Sequence, residues 1–377
     1  MRVLFLTTSW PRDVSPIDGI FVREHARAAA RSADVRVLFL ERAPAARGAF
    51  DLLPIDAEVP PTWRLRYRRF PWPLSYLALA AGSLTAYRRL RRTGFTPDVL
   101  HANSFVSAVA ALVLGLLHRR PVVYTEHWTI FLPENPARLS PSLKLAARFA
   151  LRRAALVLPV SRRLGDELRR LEPQARVRIV PNVVDDAIFT PAGAAPDGDA
   201  TVRLLTAGLL DTGRKGVDLL LEALATVQTR DVVLDVAGDG ANRPEYEQRA
   251  RELGLAERVV FRGLLTKPEL AAAMREADLF VLASRYENNP CVVLESLASG
   301  LPVVATRVGG VPEVVDDTTG VLVEPGDPAL LAAGIEEAIA RLHGFDPAAI
   351  SRVAAERYGR EAIGRQLAEI YAEVAPR

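Results

Sequence analysis

Cysteine and lysine are scarce in this chain, and no apolar run is long. The one cysteine, Cys291, excludes an intramolecular disulfide framework and suits a reducing compartment. It reads as a packing residue of a helix rather than a nucleophile. The longest apolar run, Phe105–Leu117, has 13 residues, fewer than the roughly 18 needed to span a bilayer. Met1–Thr8 is too short and turns polar too soon for a signal peptide, so a cytosolic protein is expected. Zinc, recognition-helix and aromatic single-strand motifs are missing too, which argues against nucleic acid as a partner. No Asp-x-Asp follows a predicted strand, so no obligatory metal or other resident cofactor is expected.

What is present suffices for two domains. At 377 residues, 49% hydrophobic and 25% charged, the chain exceeds one typical core. Its net charge of +3 hides an asymmetry. Residues 1–185 carry 29 Lys and Arg against 15 Asp and Glu, giving +14, while residues 186–377 carry 19 against 30, giving −11. A basic half suggests an anionic partner surface, and an anionic membrane face is the candidate that remains. The clearest sign of it is Trp63–Phe70, WRLRYRRF, followed by Pro71-Trp72-Pro73. Arg64, Arg66, Arg68 and Arg69 interleave there with Trp63, Tyr67, Phe70 and Trp72. That is the composition of an interfacial patch or of a solvated, stacked arginine surface. Arg88, Arg89, Arg91 and Arg92 cluster further on, at a helix end.

Unbroken apolar runs predict buried strands at Val3–Thr8, Val35–Leu40, Asp98–Ala102, Val122–Glu126, Ala155–Val160 and Arg176–Pro181, with helices between. The same alternation returns at Val202–Thr206, Val232–Ala237, Arg258–Arg262, Asp278–Ala283, Pro302–Ala305 and Gly320–Val323. Each half is therefore expected to be a doubly wound α/β domain with ligands at the carboxyl ends of its strands. A Pro/Gly/Ala/Asp-rich stretch separates the halves. The expected division is 1–185, a linker 186–200, a second domain 201–358 and a last helix 359–377. Gly19 lies between the first strand and its helix, where a glycine either lets the loop approach a phosphate or merely turns the chain. His101 and Glu126-His127 stand where strands give way to loops.

One stretch concentrates the chemistry: Glu287–Glu313, ENNPCVVLESLASGLPVVATRVGGVPE. Asn289-Pro290 predicts a helix start, with Asn as N-cap and Pro in the first turn, and Gly300 its end. Glu287 precedes that helix and Glu295 lies inside it, on the order of 10 Å apart at 1.5 Å per residue. That is too far to share a proton and wide for a two-carboxylate glycosidase. Gly309-Gly310, read as opening a second helix, offers amides to a phosphate. A ligand with polyol, phosphate and polyol in a row fits the spacing. Gly208–Gly216 follows the first strand of its domain and holds Arg214 and Lys215, suited to a diphosphate. Lys215 is one of three lysines among 45 arginines, with Lys144 and Lys267.

The string Glu287, seven residues, Glu295, then ASGLPVV and GGVPE, resembles the donor site of retaining glycosyltransferases of family four. The resemblance implies the GT-B fold, two Rossmann-like domains facing a central cleft, with the acidic half binding a UDP-, GDP- or ADP-linked sugar. It implies that Glu295 holds ribose hydroxyls, and that Lys215 with Gly309 and Gly310 stabilises the departing diphosphate. Glu287 with Asn288 and Asn289 would orient the sugar, Gly263-Leu264 would meet the nucleobase, and His127 would contact the hexose. His101 is a candidate beside the acceptor, and Gly19 a candidate beside the donor. The acceptor implied is a glycolipid, a lipid-linked sugar or a polysaccharide precursor. Leu209 stands where the family carries arginine, which leaves open whether Arg214 replaces it. A sugar-nucleotide 2-epimerase of the same fold, a phosphorylase, or a non-catalytic nucleotide-sugar module are the alternatives.

Overall fold

The computed structural model describes residues 1–12, 17–42, 50–55, 58–67, 74–192, 201–229 and 231–376. Its contacts divide into two units, Met1–Val183 with Arg360–Arg377, and Val184–Gly359. Residues 193–200, much of the stretch read as a linker, lie outside the described residues, whereas Phe189 is buried in the core of the second unit.

In the N-terminal unit, β1 (Arg2–Thr7) is an apolar run with Val3 to Leu6 fully buried, as a strand covered on both faces requires. The chain continues through α1 (Ile20–Ala29), β2 (Asp34–Arg42), β3 (Phe50–Ile55), β4 (Thr62–Tyr67) and α2 (Leu74–Arg92). Then come β5 (Val99–Asn103), α3 (Phe105–His118), β6 (Val122–Glu126), α4 (Pro141–Arg153), β7 (Leu156–Pro159) and α5 (Arg162–Leu171). The seven strands lie in the order β3-β4-β2-β1-β5-β6-β7. All pairs are parallel except β3 against β4. The winding reverses between β1 and β5.

The C-terminal unit repeats the scheme with β8 (Val202–Ala207), α6 (Val217–Thr226), β9 (Val232–Ala237), α7 (Arg243–Glu252) and β10 (Val259–Gly263). It continues with α8 (Lys267–Glu276), β11 (Leu279–Leu282), α9 (Cys291–Ala298), β12 (Val303–Thr306), β13 (Gly320–Val323), α10 (Pro328–Ala340) and α11 (Pro347–Tyr358). Its six strands are all parallel, in the order β10-β9-β8-β11-β12-β13. Here the reversal falls between β8 and β11, so the loops after these two strands open side by side. Fully buried Leu and Val side chains on both faces of each sheet each contribute about 1.5–3 kcal/mol. The last helix, α12 (Arg360–Val374), belongs to the N-terminal unit. Arg360 donates to Glu24 of α1 through Nε at 2.9 Å and Nη2 at 2.5 Å, and Gly364 lets the helix lie against the Ala28 backbone.

Four expectations need correcting. The segment Arg176–Pro181 is not a full strand: it bonds beside β7 but forms one bridge, Val157 to Val177. The described half of the aromatic–arginine patch is β4, with Leu65 and Tyr67 in the core and Arg64 and Arg66 beside Glu41, at 4.0 and 3.6 Å. Arg68, Arg69, Phe70 and Trp72 lie outside the described residues. The helix after the donor loop starts one residue late: Pro290 is the N-cap and Asn289 precedes it. After Gly309-Gly310 there is one 3-10 turn, Val311–Glu313, in place of a helix. Among the described residues no helix is long and apolar enough to cross a membrane.

Candidate active site

The reversal between β8 and β11 gathers the polar groups of the C-terminal unit. After β8 the chain passes Gly208 and closes a 3-10 turn, Gly213–Lys215, with Thr212 as its cap. Gly216, at φ +63, then starts α6; a Cβ there would collide with the Ala283 carbonyl just past β11. The Lys215 stem lies across Gly208, where a Cβ would come within 2.8 Å of Cε. This directs Lys215 towards the loop after β11, and its Nζ donates to Glu287 Oε1 at 2.6 Å. Ser284 adds a second hydrogen bond to the same oxygen, at 3.0 Å. Both partners of the ion pair are buried. Burial alone would raise the Glu287 pKa; Lys215, then Arg214, outweigh it and hold the carboxyl below its ordinary value.

Gly309 and Gly310 fix this loop from the other side. Gly309 sits at φ +53, and a Cβ there would lie 1.7 Å from the Glu287 carbonyl, so only glycine permits the approach. The Gly310 amide donates to the Asn288 carbonyl at 2.7 Å. That amide is therefore spent on holding Glu287–Asn288, and the expectation that both glycines present amides to a phosphate is corrected on this point. Glu295, buried within α9, meets Lys267 Nζ at 3.9 Å. Lys267 opens α8 and its ammonium lies 5.9 Å from the Phe189 ring. The sequence reading passed over Lys267, although its rarity and its place three residues after Leu264 were signals. Gly263 ends β10 at φ +73, and its carbonyl accepts from Gly238 N–H at 2.8 Å. The next residue, Leu264, is 46% exposed.

The N-terminal unit places its residues differently. Gly19 packs directly on the Ser9–Trp10 backbone, leaving no room for a Cβ, so it turns the loop into α1. His101 is fully buried, bonded through Nδ1 to Tyr371 of α12 and through Nε2 to Thr125, each at 2.6 Å. Both ring nitrogens are used within the core, and the acceptor reading of His101 is withdrawn. His127 is half-buried, with Nδ1 3.0 Å from Asn182 Oδ1 and Nε2 3.3 Å from Asn103 Oδ1. Asn103 Nδ2 lacks a partner among the described residues. Turning that amide over lets Nδ2 donate to Nε2, which suits a neutral imidazole. Burial, followed by the neighbouring His25, does hold the His127 pKa well below its usual value. Glu126, just before it, accepts backbone N–H groups from Phe105, His127 and Trp128, and the Tyr124 hydroxyl. Burial nevertheless raises its pKa to about 7. Among the described residues no group of three His, Cys, Asp or Glu is placed to hold a metal ion.

Residues 201–341 match the family described as Glycosyl transferases group 1, and residues 19–188 match Glycosyltransferase Family 4. The chain is 31% identical to alpha-D-kanosaminyltransferase of Streptomyces kanamyceticus, over 73% of this chain and 77% of the relative. It is 30% identical to 2-deoxystreptamine N-acetyl-D-glucosaminyltransferase of Streptomyces fradiae, over 97% and 96%. Among solved structures, sucrose-phosphate synthase from Thermosynechococcus elongatus aligns at a TM-score of 0.76 with 21% identity, over 99% of both chains. HepE of Anabaena in complex with UDP aligns at 0.76 with 23% identity, over 99% of this chain and 100% of its own. These structures carry the fold: two Rossmann-like parallel-sheet units, the GT-B class.

Proposed function

The chain belongs to the glycosyltransferases of group 1 and family 4, and from that premise we propose that it moves a hexose-type sugar from a nucleoside diphosphate sugar to an acceptor hydroxyl, retaining anomeric configuration. The observation that carries the reading is the buried Lys215–Glu287 pair at the reversal of the C-terminal sheet. In the transfer, the bond from the anomeric carbon to phosphate oxygen breaks, and its electron pair leaves with the diphosphate. A bond to the acceptor oxygen forms and the hydroxyl proton departs. Charge on the leaving oxygen is what the site must stabilise, and a preoriented ammonium does so without reorganisation. Lys215 gives one of its three donors to Glu287, which orients the others towards a diphosphate.

Arg214 lies close enough to lower the Glu287 pKa and replaces the positive charge absent at Leu209. With these two cations the reaction is proposed to need no obligatory metal. Glu295 holds the ribose hydroxyls, and exposed Leu264 beside Gly263 meets the base. The His127 imidazole is proposed to exchange its longer contact, Nε2 with Asn103 at 3.3 Å, for a hydroxyl of the transferred sugar. The acceptor is proposed to be a glycolipid, a lipid-linked sugar or a polysaccharide precursor. HepE was solved with UDP and with UDP-glucose, so UDP-sugars head the donors to be tried, before GDP- and ADP-sugars. The test is a thermal-shift panel of these donors, followed by assay of nucleoside diphosphate release with sugar acceptors, with and without chelator. Acceptor-dependent release, insensitive to chelator, is expected. Epimer formation, or binding with no turnover on any acceptor, overturns the reading.

A further inference from the structure

The helical layer α2, α3 and α4 of the N-terminal unit has an outer face to which the proposed transfer assigns no residue. α3 packs between α2 and α4, and none of the three contains Asp or Glu. Ser107 and His118 are the only side chains of α3 with polar atoms. Its inward side is core, yet Leu116 and Leu117 near its end are 84% and 58% exposed. On α4 the buried side is Ala147, Ala150 and Leu151. Its exposed stripe is Lys144, Leu145, Arg148, Phe149 and Arg152, one helical face by spacing, with Leu145 70% and Phe149 47% exposed. Four exposed arginines, 88, 89, 91 and 92, end α2, and Arg119-Arg120 follow α3. Arg91, Arg88 and Arg120 converge on His118, whose pKa falls below its usual value through burial and then their charge.

Cations at helix ends are ordinary, worth about 0.3–1 kcal/mol each against the helix dipole. Large apolar side chains exposed among them are not, and mark a surface with a partner. Helix α5 supplies the contrast. Its Arg163, Arg169 and Arg170 are neutralised by Glu134, Asp166 and Glu167. Across α2 to α4 and Arg119-Arg120, only Arg148 has a carboxylate partner among the described residues, Glu172 at 3.4 Å.

We propose that this face, the exposed leucines of α3 flanked by the cationic end of α2 and the Lys/Leu/Arg/Phe stripe of α4, docks on an anionic lipid bilayer. Leu116, Leu117, Leu145 and Phe149 enter the boundary between headgroups and acyl chains, while the arginines stay at headgroup phosphates. An anionic leaflet fits because every charge on these helices is positive. The site differs from the Trp63–Trp72 patch expected from sequence, whose described arginines lie beside Glu41. It is independent of the donor chemistry, so its test does not use turnover.

The experiment is co-sedimentation of the full chain with phosphatidylcholine vesicles, alone or with phosphatidylglycerol. Binding is expected only with phosphatidylglycerol, and about 0.5 M salt weakens it because screening shortens to a few ångströms. Leu116→Ser with Leu117→Ser, or Arg152→Ser with Arg153→Ser, lowers the bound fraction at least about tenfold. Arg64→Ser with Arg66→Ser leaves it unchanged. Equal binding to neutral vesicles, no binding to anionic ones, full binding by the leucine variant, or loss in the Arg64/Arg66 variant overturns the proposal. So does a dimer that the leucine variant abolishes, since the face would then be covered by a second copy.

Discussion

In the C-terminal unit buried carboxylates lie beside lysines, Glu287 by Lys215 at 2.6 Å and Glu295 by half-buried Lys267 at 3.9 Å. In the N-terminal unit the cluster of His25, His101, Glu126 and His127 is pushed towards neutrality instead. Burial lowers the pKa of His25, His101 and His127, and raises that of Glu126 to about 7. The same scaffold thus makes two electrostatic environments. Lys215, brought beside Glu287 across the sheet reversal, offsets the desolvation of that carboxyl and holds its pKa below the ordinary value. Around the imidazoles burial is the larger influence, outweighing the raising effect of Glu24 on His25 and of Asn182 on His127. Charged groups suit a diphosphate, whereas neutral donors and acceptors suit sugar hydroxyls. This contrast motivates the proposal that Lys215 meets the donor phosphates.

Removing a paired charge breaks the contrast most. Lys215→Ala should lower kcat/KM by roughly 10²-fold or more, about 3 kcal/mol of transition-state stabilisation. It also leaves Glu287 buried and unpaired, so a lowered Tm that Lys215→Ala with Glu287→Gln restores is expected, while activity stays low. Activity restored in the double variant would reduce Lys215 to a structural role.

In the other unit the sharpening measurement is a pH profile. Glu126 has its folded pKa raised from 4.5 to about 7. Its contribution to stability is therefore complete below about pH 4.5 and lost as pH rises through about 7, a change of about 3 kcal/mol. Urea unfolding across that range should show Glu126→Gln gaining stability relative to wild type as pH rises. Parallel profiles would mean that Glu126 is ordinary. Glu295→Gln should weaken nucleoside diphosphate affinity by about 2–3 kcal/mol, read by calorimetry. Lys267→Ala, removing the longer contact, should cost no more than about 1 kcal/mol. Equal losses from the two would make the Lys267–Glu295 pair, rather than the carboxylate alone, the ribose contact.

Much of the scaffold was legible because parallel strands buried on both faces are unbroken apolar runs, as at Val232–Ala237. Strands β3 and β4 were missed because they form an antiparallel edge with arginine on one side. The alternation in Trp63-Arg64-Leu65-Arg66-Tyr67 was present but was outweighed by its charge. Residue types and spacing made Lys215, Glu287 and Glu295 candidates, and the resemblance to family-four glycosyltransferases supplied their expected roles. That Lys215 meets Glu287 was not visible across 72 residues; strand order alone brings their loops together. The roles of Gly309 and Gly310 depend on a backbone approach that sequence does not encode locally. His101 was misplaced because a strand end looks open until α12 covers it with Tyr371.

The central claim is that the C-terminal unit holds the donor's diphosphate through Lys215. Calorimetric titration of wild type and Lys215→Ala with the nucleoside diphosphate that binds in the donor panel, and with its parent nucleoside, tests this directly. The account predicts that the variant loses most of the affinity the diphosphate adds, while its nucleoside affinity is unchanged. Equal weakening of both ligands, or an unchanged diphosphate increment, would contradict it.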